Sequence, residues 1–538
     1  MLRYTTLFAA VGLTLLFGLL AIFWPYFWIT FVFFGFFTVV GIRDITQDHH
    51  AILRNYPILG HLRWILEGIR PEIRQYLLES DGDKEPFSRD DRAIVYQRAK
   101  GAEDKRPFGT KMDVYAAGYS WITHSVLART DLAWDVRVKI GNDACTQPYE
   151  ASIFNISAMS FGALSANAIS ALNKGAKVGG FAHDTGEGGI SVHHRNGGGD
   201  LIYEVGSGYF GCRDDDGNFN AENFAKQAAN PQVKMIEIKL SQGAKPGHGG
   251  MLPAAKISKE ISEARGVPMG VDCLSPATHS KFSTPLEFVE FIGELRKLSD
   301  GKPVGFKLCV GHRREFMCMV KAMQETGIVP DFIVVDGKEG GTGAAPLEFA
   351  NHIGMPLVEG LSFVVNTLVG AGLRDQIKIG AAGKLVTAFD LARIYALGAD
   401  WVNSARGFMF SIGCIQAQAC HTNHCPVGVT TQDKLRQRAL NVDSKSKRVA
   451  GFHQNTLKAV AEIVGAAGLG SPFELQPKHL MVRQKSGETL SGAKIYLTMP
   501  PNALIDGVSV EESYQVPWNN ARSDSFRPYE GMESLLYN

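Results

Sequence analysis

Three cysteines near residue 420 are the residues best suited to metal chemistry. Cys414, Cys420 and Cys425 fall within twelve residues, and a proline follows the last of them. Three thiolates this close in sequence can converge on one metal centre, and a proline after the last cysteine also occurs in bacterial ferredoxin-type runs. Because soft thiolates favour iron–sulfur clusters or zinc over hard ions, three interpretations stay open. They are a three-iron cluster on the three sulfurs, zinc with His421 or His424 as fourth ligand, and buried cysteines without a ligand.

Glycine-rich segments are the second group of residues that point to chemistry. They follow predicted strands, and they are 186–189, 242–250, 337–343, 383–384 and 406–407. The last two segments, Gly383-Lys384 and Arg406-Gly407, follow the seventh and eighth predicted strands, where barrels of this kind bind phosphate. Backbone N–H groups and the Arg406 guanidinium would bind a phosphate dianion there. The alternative for any one of these segments is that its glycines only make a tight turn.

The elements that must position these residues are short β-rich runs that alternate with helical stretches. The eight predicted strands are 154–159, 180–185, 235–240, 271–275, 304–310, 332–336, 377–381 and 401–405. Several are nearly continuous apolar runs, as expected for strands buried on both faces. Eight alternations over roughly 250 residues predict an α/β fold, a closed (β/α)8 TIM barrel. A doubly wound open sheet is the alternative.

Lys307 lies at the end of the fifth predicted strand, inside an apolar run. An unpaired cation is costly in such a place, so we expect a partner anion for its ammonium group.

A long uncharged segment occupies the N-terminus. No charged residue occurs from Tyr4 to Ile42, and one helix of that length would span about 58 Å, against a hydrocarbon core of roughly 30 Å. Two membrane spans with a break near Pro25 fit better. Arg3 and Arg43 flank the segment, which favours a hairpin with both ends, and the catalytic domain, on the cytoplasmic side. A signal peptide and a buried soluble hairpin are the alternatives.

Composition excludes several classes of protein. The chain has 538 residues and a net charge of +1, with 45% hydrophobic and 20% charged residues. Wholesale disorder is therefore excluded, and no general positive field attracts nucleic acid, so we expect no nucleic-acid partner. Eight cysteines in this length are too few for a secreted disulfide scaffold. The predicted domains are a transmembrane hairpin (1–42), a helical or irregular pre-barrel segment (43–150), the barrel with the cysteine loop (151–435) and a C-terminal helical extension with a tail (436–538).

The motifs of the barrel resemble the synthase domain of glutamate synthase. The matching segments occur in the family's order, and they are Ala158-Met159-Ser160-Phe161-Gly162, Thr185-Gly186-Glu187-Gly188-Gly189, Gln242-Gly243-Ala244-Lys245-Pro246-Gly247, Gly340-Gly341-Thr342-Gly343-Ala344, and Cys414 through Cys425-Pro426-Val427-Gly428 to Asp433. The resemblance covers about 150–435. The chain as a whole is similar to the shorter, membrane-anchored, glutamate synthase-like proteins.

This resemblance implies a barrel that binds FMN and a 3Fe–4S cluster. It places the cluster on Cys414, Cys420 and Cys425. It implies that 2-oxoglutarate, or a related small acid, meets Gln242, Lys245 and Arg265, and that Glu187 lies near the ammonia path. The implied cofactor-binding residues are Met159, Ser160, Lys307, Asp336, Gly340, Gly341, Thr342, Gly383, Lys384, Arg406 and Gly407. Met159 and Ser160 would lie against the flavin ring, and Lys307 would stabilise negative charge on the reduced ring.

The chain also departs from the full family pattern. The hydrophobic segment stands where the full enzyme has an amidotransferase domain, so we expect free ammonia or an ammonia-supplying subunit as nitrogen source. The first functional hypothesis is reductive amination of 2-oxoglutarate to glutamate, with ferredoxin or a membrane carrier as electron donor. The second is a membrane-linked flavin dehydrogenase of an amino or hydroxy acid that passes electrons to a membrane carrier. The third is a non-catalytic, membrane-tethered barrel.

Overall fold

The structure is a computed structural model that describes residues 2–80, 82, 86–496 and 499–528. It contains two compact units, residues 1–89 and 90–538. The predicted domain limits at 42, 150 and 435 stay a prediction.

The N-terminal unit begins with two long apolar helices, Thr5–Phe23 and Phe27–Thr46, which are long and apolar enough to cross a membrane. They pack against each other: the Phe17 and Phe34 rings stack at 5.5 Å, and the Thr14 and Thr38 hydroxyls are 2.9 Å apart. Only 17% and 11% of their apolar windows are buried. A core helix of a soluble protein would be mostly buried, so this exposure disfavours the alternative of a buried hairpin. The rest of the unit contains the helices Ala51–Asn55 and His61–Ile73 and the π-helix Arg74–Leu78.

Parallel strands of the second unit close into an eight-stranded barrel, as the sequence predicts. In chain order they are β1 (Phe154–Ile156), β2 (His183–Asp184), β3 (Leu201–Val205), β4 (Val233–Lys239), β5 (Val304–Leu308), β6 (Phe332–Asp336), β7 (Lys378–Ala382) and β8 (Trp401–Ser404). Each strand pairs with the next, and β8 pairs with β1 through Asn403 and Asn155. Nearly every residue of these strands is buried, which explains their apolar runs.

One predicted barrel strand is wrong and one was missed. The predicted strand 271–275 lies outside the barrel, where Cys273–Leu274 pairs antiparallel with Met251–Leu252. The third barrel strand is β3 instead. Its apolar run is interrupted by Glu204, which is 1% exposed. A buried glutamate argues against a core strand unless a cation meets it, and here Lys307 of β5 does so.

Helices surround the barrel and extend it. They are Arg89–Lys100, Ala166–Gly179, Val192–Arg195, Ala221–Ala228, Lys259–Arg265, Pro285–Leu298, Arg313–Thr326, Leu347–His352, Leu357–Gly370, Ala388–Ala396, Arg406–Ser411, Lys434–Arg438, Val442–Ala466, Gly492–Ile495 and Glu512–Asn519. The remaining strands are Ser120–Ile122, Arg137–Ile140, Tyr149–Ser152, Met251–Leu252, Cys273–Leu274, Leu480–Arg483 and Thr489–Ser491, and 3₁₀ turns cover Leu2–Tyr4, Ala254–Lys256, Pro472–Glu474 and Pro477–His479.

Local sequence signals fix where the barrel helices begin. Thr284 and Thr387 each form a capping box with an acid three residues on, Glu287 and Asp390. Such reciprocal bonds satisfy N–H groups that have no partner within the helix. These caps end the preceding loops sharply and hold the strand ends in register with the helices.

Candidate functional site

The carboxyl ends of β2 and β4 bring one anion and three cations together. Glu187 follows β2, and its carboxylate lies 3.2 Å from the Lys239 ammonium at the end of β4. Lys245 of the next loop and Arg265, at the end of the helix Lys259–Arg265, also act electrostatically on Glu187. Burial alone would raise the pKa of Glu187, but Lys239, and then Arg265 and Lys245, hold it below its usual value. Glu187 is therefore ionised, and the group carries an excess of positive charge.

Arg265 is held next to the loop that follows β1. Its Nη2 donates to Ser160 Oγ and to the Phe161 carbonyl, each at 3.4 Å, and its guanidinium lies 5.2 Å from the centre of the Phe210 ring. A Cβ added to Gly188 would come within 2.9 Å of Arg265 Nη2. This close approach favours glycine at 188, and it brings Ser160, Arg265 and the loop after β2 together.

Met159 and Ser160 border the same loop from the other side. The Met159 N–H donates to the Asp184 carbonyl at 3.2 Å. A Cβ on Gly186, where φ is +65°, would lie 2.7 Å from Ser160 N. The loops after β1 and β2 are thus in backbone contact, with Met159 buried between them.

The loop after β4 crosses directly over the loop after β6. The Gly243 N–H donates to Asp336 Oδ2 at 2.8 Å, and a Cβ on Gly243 would lie 1.7 Å from the Gly337 carbonyl oxygen. No side chain fits there. Burial raises the pKa of Asp336, and Lys307 and the bond from Gly243 oppose that rise. Asp336 therefore positions the loop that carries Gln242 and Lys245.

A small cavity lies between Glu187, Lys239, Gln242 and the segment Gly247-His248-Gly249-Gly250, with a volume of about 20 Å³. That volume holds about one water molecule, so a larger ligand requires the glycine-rich loop to move. Lys245 Nζ donates to the Gly249 carbonyl at 3.1 Å within this loop. Burial lowers the pKa of Lys245, although Glu187 opposes that shift.

His279 lies behind this cavity as a neutral, fully bonded side chain. Its Nδ1 is 3.1 Å from the Tyr209 hydroxyl and its Nε2 is 2.9 Å from the Lys239 carbonyl. Burial lowers its pKa to about 4. Both ring nitrogens are occupied, so His279 fixes the end of β4.

The Lys307 ammonium lies inside the barrel among three carboxylates. Glu237 Oε1 is 2.8 Å away, Asp184 Oδ2 is 3.8 Å away, and Glu204 makes a direct ion pair with it. All four side chains are at most 4% exposed. The predicted partner anion of Lys307 is thus found, but as three groups rather than one. Burial raises the pKa of Asp184 and, less strongly, that of Glu237, in opposition to Lys307.

The loops after β6, β7 and β8 meet around Arg406. Its Nη2 donates to the Glu339 carbonyl at 2.6 Å, and a Cβ on Gly341 would lie 2.8 Å from its Cζ. Burial lowers the pKa of Arg406 to about 10, against the pull of Asp336 and Glu339. The guanidinium therefore stays charged at neutral pH.

The other members of this group line the same loops. A Cβ on Gly340 would lie 3.0 Å from Asp336 Oδ1. Gly383 has φ +143° and approaches the Gly337 backbone, Lys384 follows with φ +57°, and Gly407 begins the helix after β8 beneath Ser404. Thr342 is exposed at the outer edge. The sequence-predicted phosphate loops are therefore neighbours, with one charged guanidinium between them.

The three cysteines of the loop after β8 form one electrostatic group. Burial raises the pKa of Cys414 to about 12, and Cys420 and Cys425 add to that rise. Burial would also raise the pKa of Cys425, but N–H groups of Thr430, Val427 and Val429 lower it below its usual value. Hydrogen bonds of this kind stabilise a thiolate, which is the form that binds metal.

A second group of possible metal ligands lies inside the barrel. Asp184, Glu204 and Glu237 are among the described residues, and their ligand atoms all lie within 4.8 Å of one another. The Lys307 ammonium already forms ion pairs with all three carboxylates.

Lys256 connects the cysteine loop to the chain segment that leads to Arg265. Its Nζ donates to the Cys420 carbonyl at 2.7 Å and to the Thr430 carbonyl at 3.1 Å. Lys256 belongs to the 3₁₀ turn Ala254–Lys256, a few residues before Arg265. One buried ammonium thus bridges the two ends of the loop that carries Cys420 and Cys425.

Sequence reasoning missed several residues of this region, namely Lys239, Asp184, Glu204, Glu237 and Lys256. A signal was present in β4, where Glu237 and Lys239 interrupt an apolar strand two residues apart. With a period of two, both side chains must point to the same face of the strand.

Comparison with known proteins places this site in a family. A family model described as a conserved region in glutamate synthase matches residues 112–470. The chain belongs to the glutamate synthase family. It is 38% identical over 495 residues to the glutamate synthase large subunit-like protein YerD of Bacillus subtilis, with 85% of this chain and 94% of YerD covered.

Other glutamate synthases are similar to part of the chain. An archaeal-type glutamate synthase [NADPH] of Thermotoga maritima is 33% identical over 330 residues, which are 61% of each protein. A ferredoxin-dependent glutamate synthase of Antithamnion sp. is 35% identical over 244 residues, 45% of this chain and 15% of that protein. Among solved structures, a mandelate oxidase variant with benzaldehyde is 16% identical, with a TM-score of 0.40 over 74% of this chain and 98% of its own.

Proposed function

We propose that this chain is an FMN and 3Fe–4S oxidoreductase that converts 2-oxoglutarate and ammonia into glutamate. The observation that carries the proposal is the charge of the site. Lys239, Lys245 and Arg265 surround one ionised carboxylate, Glu187. The excess of two positive charges matches the two carboxylates of 2-oxoglutarate, and buried cations gain most from anionic ligands that complete their hydrogen bonds.

The loops around Arg406 fit the phosphate of FMN. Gly341 approaches the Arg406 guanidinium, and Gly383, with φ +143°, approaches the Gly337 backbone, so three glycine-containing loops are neighbours here. The Arg406 guanidinium, which also donates to the Glu339 carbonyl, would supply charge-assisted hydrogen bonds to a dianion. Met159 and Ser160 would border the flavin ring, between this phosphate group and the cationic group. FMN, when bound, supplies the hydride that reduces a carbon–nitrogen double bond.

The cysteine loop fits an iron–sulfur cluster. Its three sulfurs interact electrostatically with one another, Cys425 is stabilised as a thiolate, and soft thiolates favour iron–sulfur clusters over hard ions. Cys414, Cys420 and Cys425 would hold the cluster, and Lys256 would keep their loop in place.

The chain's own residues would orient the substrate and hold protons. Arg265 and Lys245 would bind the carboxylates, and Gln242 would donate to the keto oxygen. Ammonia would condense at the keto carbon with loss of water. Glu187, ionised at neutral pH, would bind the incoming ammonium, and the Lys239 ammonium beside it would stabilise the oxygen that leaves.

Electrons would come from ferredoxin, NADPH or a membrane carrier, and nitrogen from free ammonia or a partner subunit. The archaeal-type relatives carry NADPH in their names and the Antithamnion relative ferredoxin. The two apolar helices would anchor the protein in membrane lipid, with the barrel in the cytoplasm.

Anaerobic turnover tests the proposal. We expect the purified full-length protein to form glutamate from 2-oxoglutarate, ammonium and reduced ferredoxin. Charge-assisted hydrogen bonds contribute enough for Arg265→Met to raise the KM for 2-oxoglutarate by roughly 10–100-fold. Arg213→Met is the matched control, because Arg213 also lies over the Phe210 ring, at 5.6 Å, whereas the cations that lower the pKa of Glu187 most are Lys239, Arg265 and Lys245. Absence of glutamate from flavin-loaded protein, or equal effects of both variants, would reject the proposal.

A second candidate is a dehydrogenase of an amino or hydroxy acid that delivers electrons to a membrane carrier. The two membrane-length helices favour it, because a soluble electron donor needs no anchor. Anaerobic bleaching of the flavin by such an acid, without 2-oxoglutarate, would favour this direction over glutamate formation.

A further inference from the structure

The helix His61–Ile73 and the π-helix Arg74–Leu78, here called the amphipathic segment, have no buried residue. Apolar side chains recur at helical spacing along one face, and they are Leu62, Ile65, Leu66, Ile69 and Ile73, with Tyr76 continuing the series. Leu62 is 50% exposed and Ile65 59%. A soluble helix normally buries such a stripe against a core.

The flank of this stripe is basic. Arg70 and Arg74 are neighbours on the helix, as residues four apart are. Arg63 lies two turns before Arg70, and Glu67 lies between them, with its carboxylate 3.8 Å from the Arg70 guanidinium. Two glutamates, Glu67 and Glu72, leave the segment with a net charge of +1. An exposed apolar face beside arginines is the pattern of a helix that lies in the headgroup region of a membrane.

Hydrogen bonds fix the start of the segment at the end of the second apolar helix. The buried Asp44 carboxylate, 3% exposed, accepts from the Ile58 N–H at 2.8 Å and lies 2.9 Å from His61 Nε2. The Thr6 hydroxyl donates to the Pro57 carbonyl at 2.7 Å. The loop before the segment is therefore held to both charged ends of the hairpin.

These contacts indicate that the apolar face of the segment lies at the level of the lipid headgroups. Arg3 and Arg43 mark the hairpin ends, where a membrane-spanning pair meets the headgroups. A helix whose first residue, His61, is hydrogen-bonded to Asp44 begins at that level, within reach of the lipid surface. No described residue of its own unit covers the stripe, since no residue of the segment is buried.

We propose that the amphipathic segment lies on the membrane surface beside the hairpin, with its apolar face among the acyl chains and its arginines on anionic lipid headgroups. The inference rests on the proposed membrane anchor. It makes the protein attach to lipid through three elements rather than two, and it makes the surface attachment sensitive to lipid charge.

Amide hydrogen exchange of the full-length protein in lipid nanodiscs tests this inference. One set of discs contains phosphatidylcholine alone, and the other contains phosphatidylglycerol in addition. We expect slow exchange at 61–78 in both, slower in the anionic discs. Each basic residue near such a surface changes the affinity of a protein for anionic lipid about fivefold. Removal of all three arginines should therefore reduce the additional protection seen in the anionic discs by on the order of 100-fold. High salt should do the same.

Two variants and one control separate the contributions. The apolar variant Ile65→Asn/Ile69→Asn should lose protection by tenfold or more in both kinds of disc, because each side chain contributes a large part of the apolar burial. The basic variant carries Arg63→Gln, Arg70→Gln and Arg74→Gln. It should lose only the additional protection seen in the anionic discs. The control removes three exposed lysines of the other unit and should change nothing; it carries Lys105→Gln, Lys226→Gln and Lys259→Gln.

The same spectra distinguish failure of this inference from failure of the anchor. Protection of Thr5–Phe23 and Phe27–Thr46 with unprotected 61–78 would overturn the surface helix and leave the anchor standing. Protection of 61–78 that is equal in both discs and unchanged in both variants would mean that protein covers the face, which also overturns it. Unprotected amides in all three elements would reject the anchor and the surface helix together.

Discussion

Replacement of Lys307 by methionine tests the charge balance of the barrel interior. Among the described residues, Lys307 is the cation in direct ion pairs with Glu204, Glu237 and Asp184, at 2.8 Å and 3.8 Å from the latter two. Methionine has a similar shape and no charge. In the Lys307→Met variant the three buried carboxylates lose this counter-ion.

The magnitude follows from the burial of the cluster. Removal of one partner of a buried ion pair destabilises a protein by roughly 3–5 kcal/mol. The unfolding entropy is about 2.1 cal/mol/K per residue, so in a unit of this size about 1 kcal/mol shifts the melting temperature by roughly 1–2 °C. We therefore expect the barrel of the variant to melt roughly 3–10 °C lower than the wild type at pH 8.

The pH dependence gives the prediction its sign. Burial and the neighbouring carboxylates already raise the pKa of Asp184 and Glu237, and Lys307 opposes the rise. Loss of Lys307 raises both further. A group whose pKa is higher in the folded state adds stability below its unfolded pKa, and this stability is lost as pH rises through the folded pKa. The deficit of the variant should therefore be smaller at pH 5.5 than at pH 8.

Thermal unfolding followed by circular dichroism at both pH values measures this effect. Lys302→Met is the matched control, because the buried Lys302 ammonium donates only to carbonyls, those of Ala228 and Asn230. Lys302→Met should lower the melting temperature of the protein, and this loss should not become smaller at pH 5.5 as it does for Lys307→Met. Wild-type stability of Lys307→Met at pH 8, or a deficit that does not change with pH, would refute the reasoning about the cluster.

Three further substitutions address the proposed binding sites. Gly243→Ala should destabilise by roughly 1–3 kcal/mol in denaturant unfolding, because its Cβ would overlap the Gly337 carbonyl, whereas Gly311→Ala, which meets no atom within 4 Å, should be nearly neutral. Cys420→Ser should abolish the low-temperature electron paramagnetic resonance signal of the cluster and keep FMN bound; loss of FMN alone would contradict the separation of the two sites. Arg406→Met should weaken FMN binding by roughly 10–100-fold in a fluorescence titration, and equal weakening for riboflavin, which lacks the phosphate, would speak against the phosphate role.

The sequence predicts the barrel well because its signal is local. Strands buried on both faces read as short apolar runs, and seven of the eight predicted strands overlap barrel strands. The exception is physical in origin. β3 contains Glu204, whose counter-ion Lys307 comes from β5, about 100 residues later. A local sequence pattern cannot show an ion pair between residues that far apart in the chain.

The candidate site is predictable only in part for the same reason. Glycine motifs mark Gly186–Gly189 and the loop that begins at Gln242, and the close contacts of Gly188 and Gly243 show why glycine is needed there. Lys256 gave no motif, since its importance depends on contacts with residues distant in sequence. Within the segment 43–150, which the sequence predicts to be helical or irregular, residues 61–78 are helical and none of them is buried.

The flavin content of the protein tests the central proposal most directly. We expect full-length protein, purified without oxygen and then denatured with acid, to release one FMN per chain, with yellow absorbance before release. Protein that is colourless as purified and that binds no FMN in titration, while its circular dichroism shows a folded barrel, would contradict the proposal.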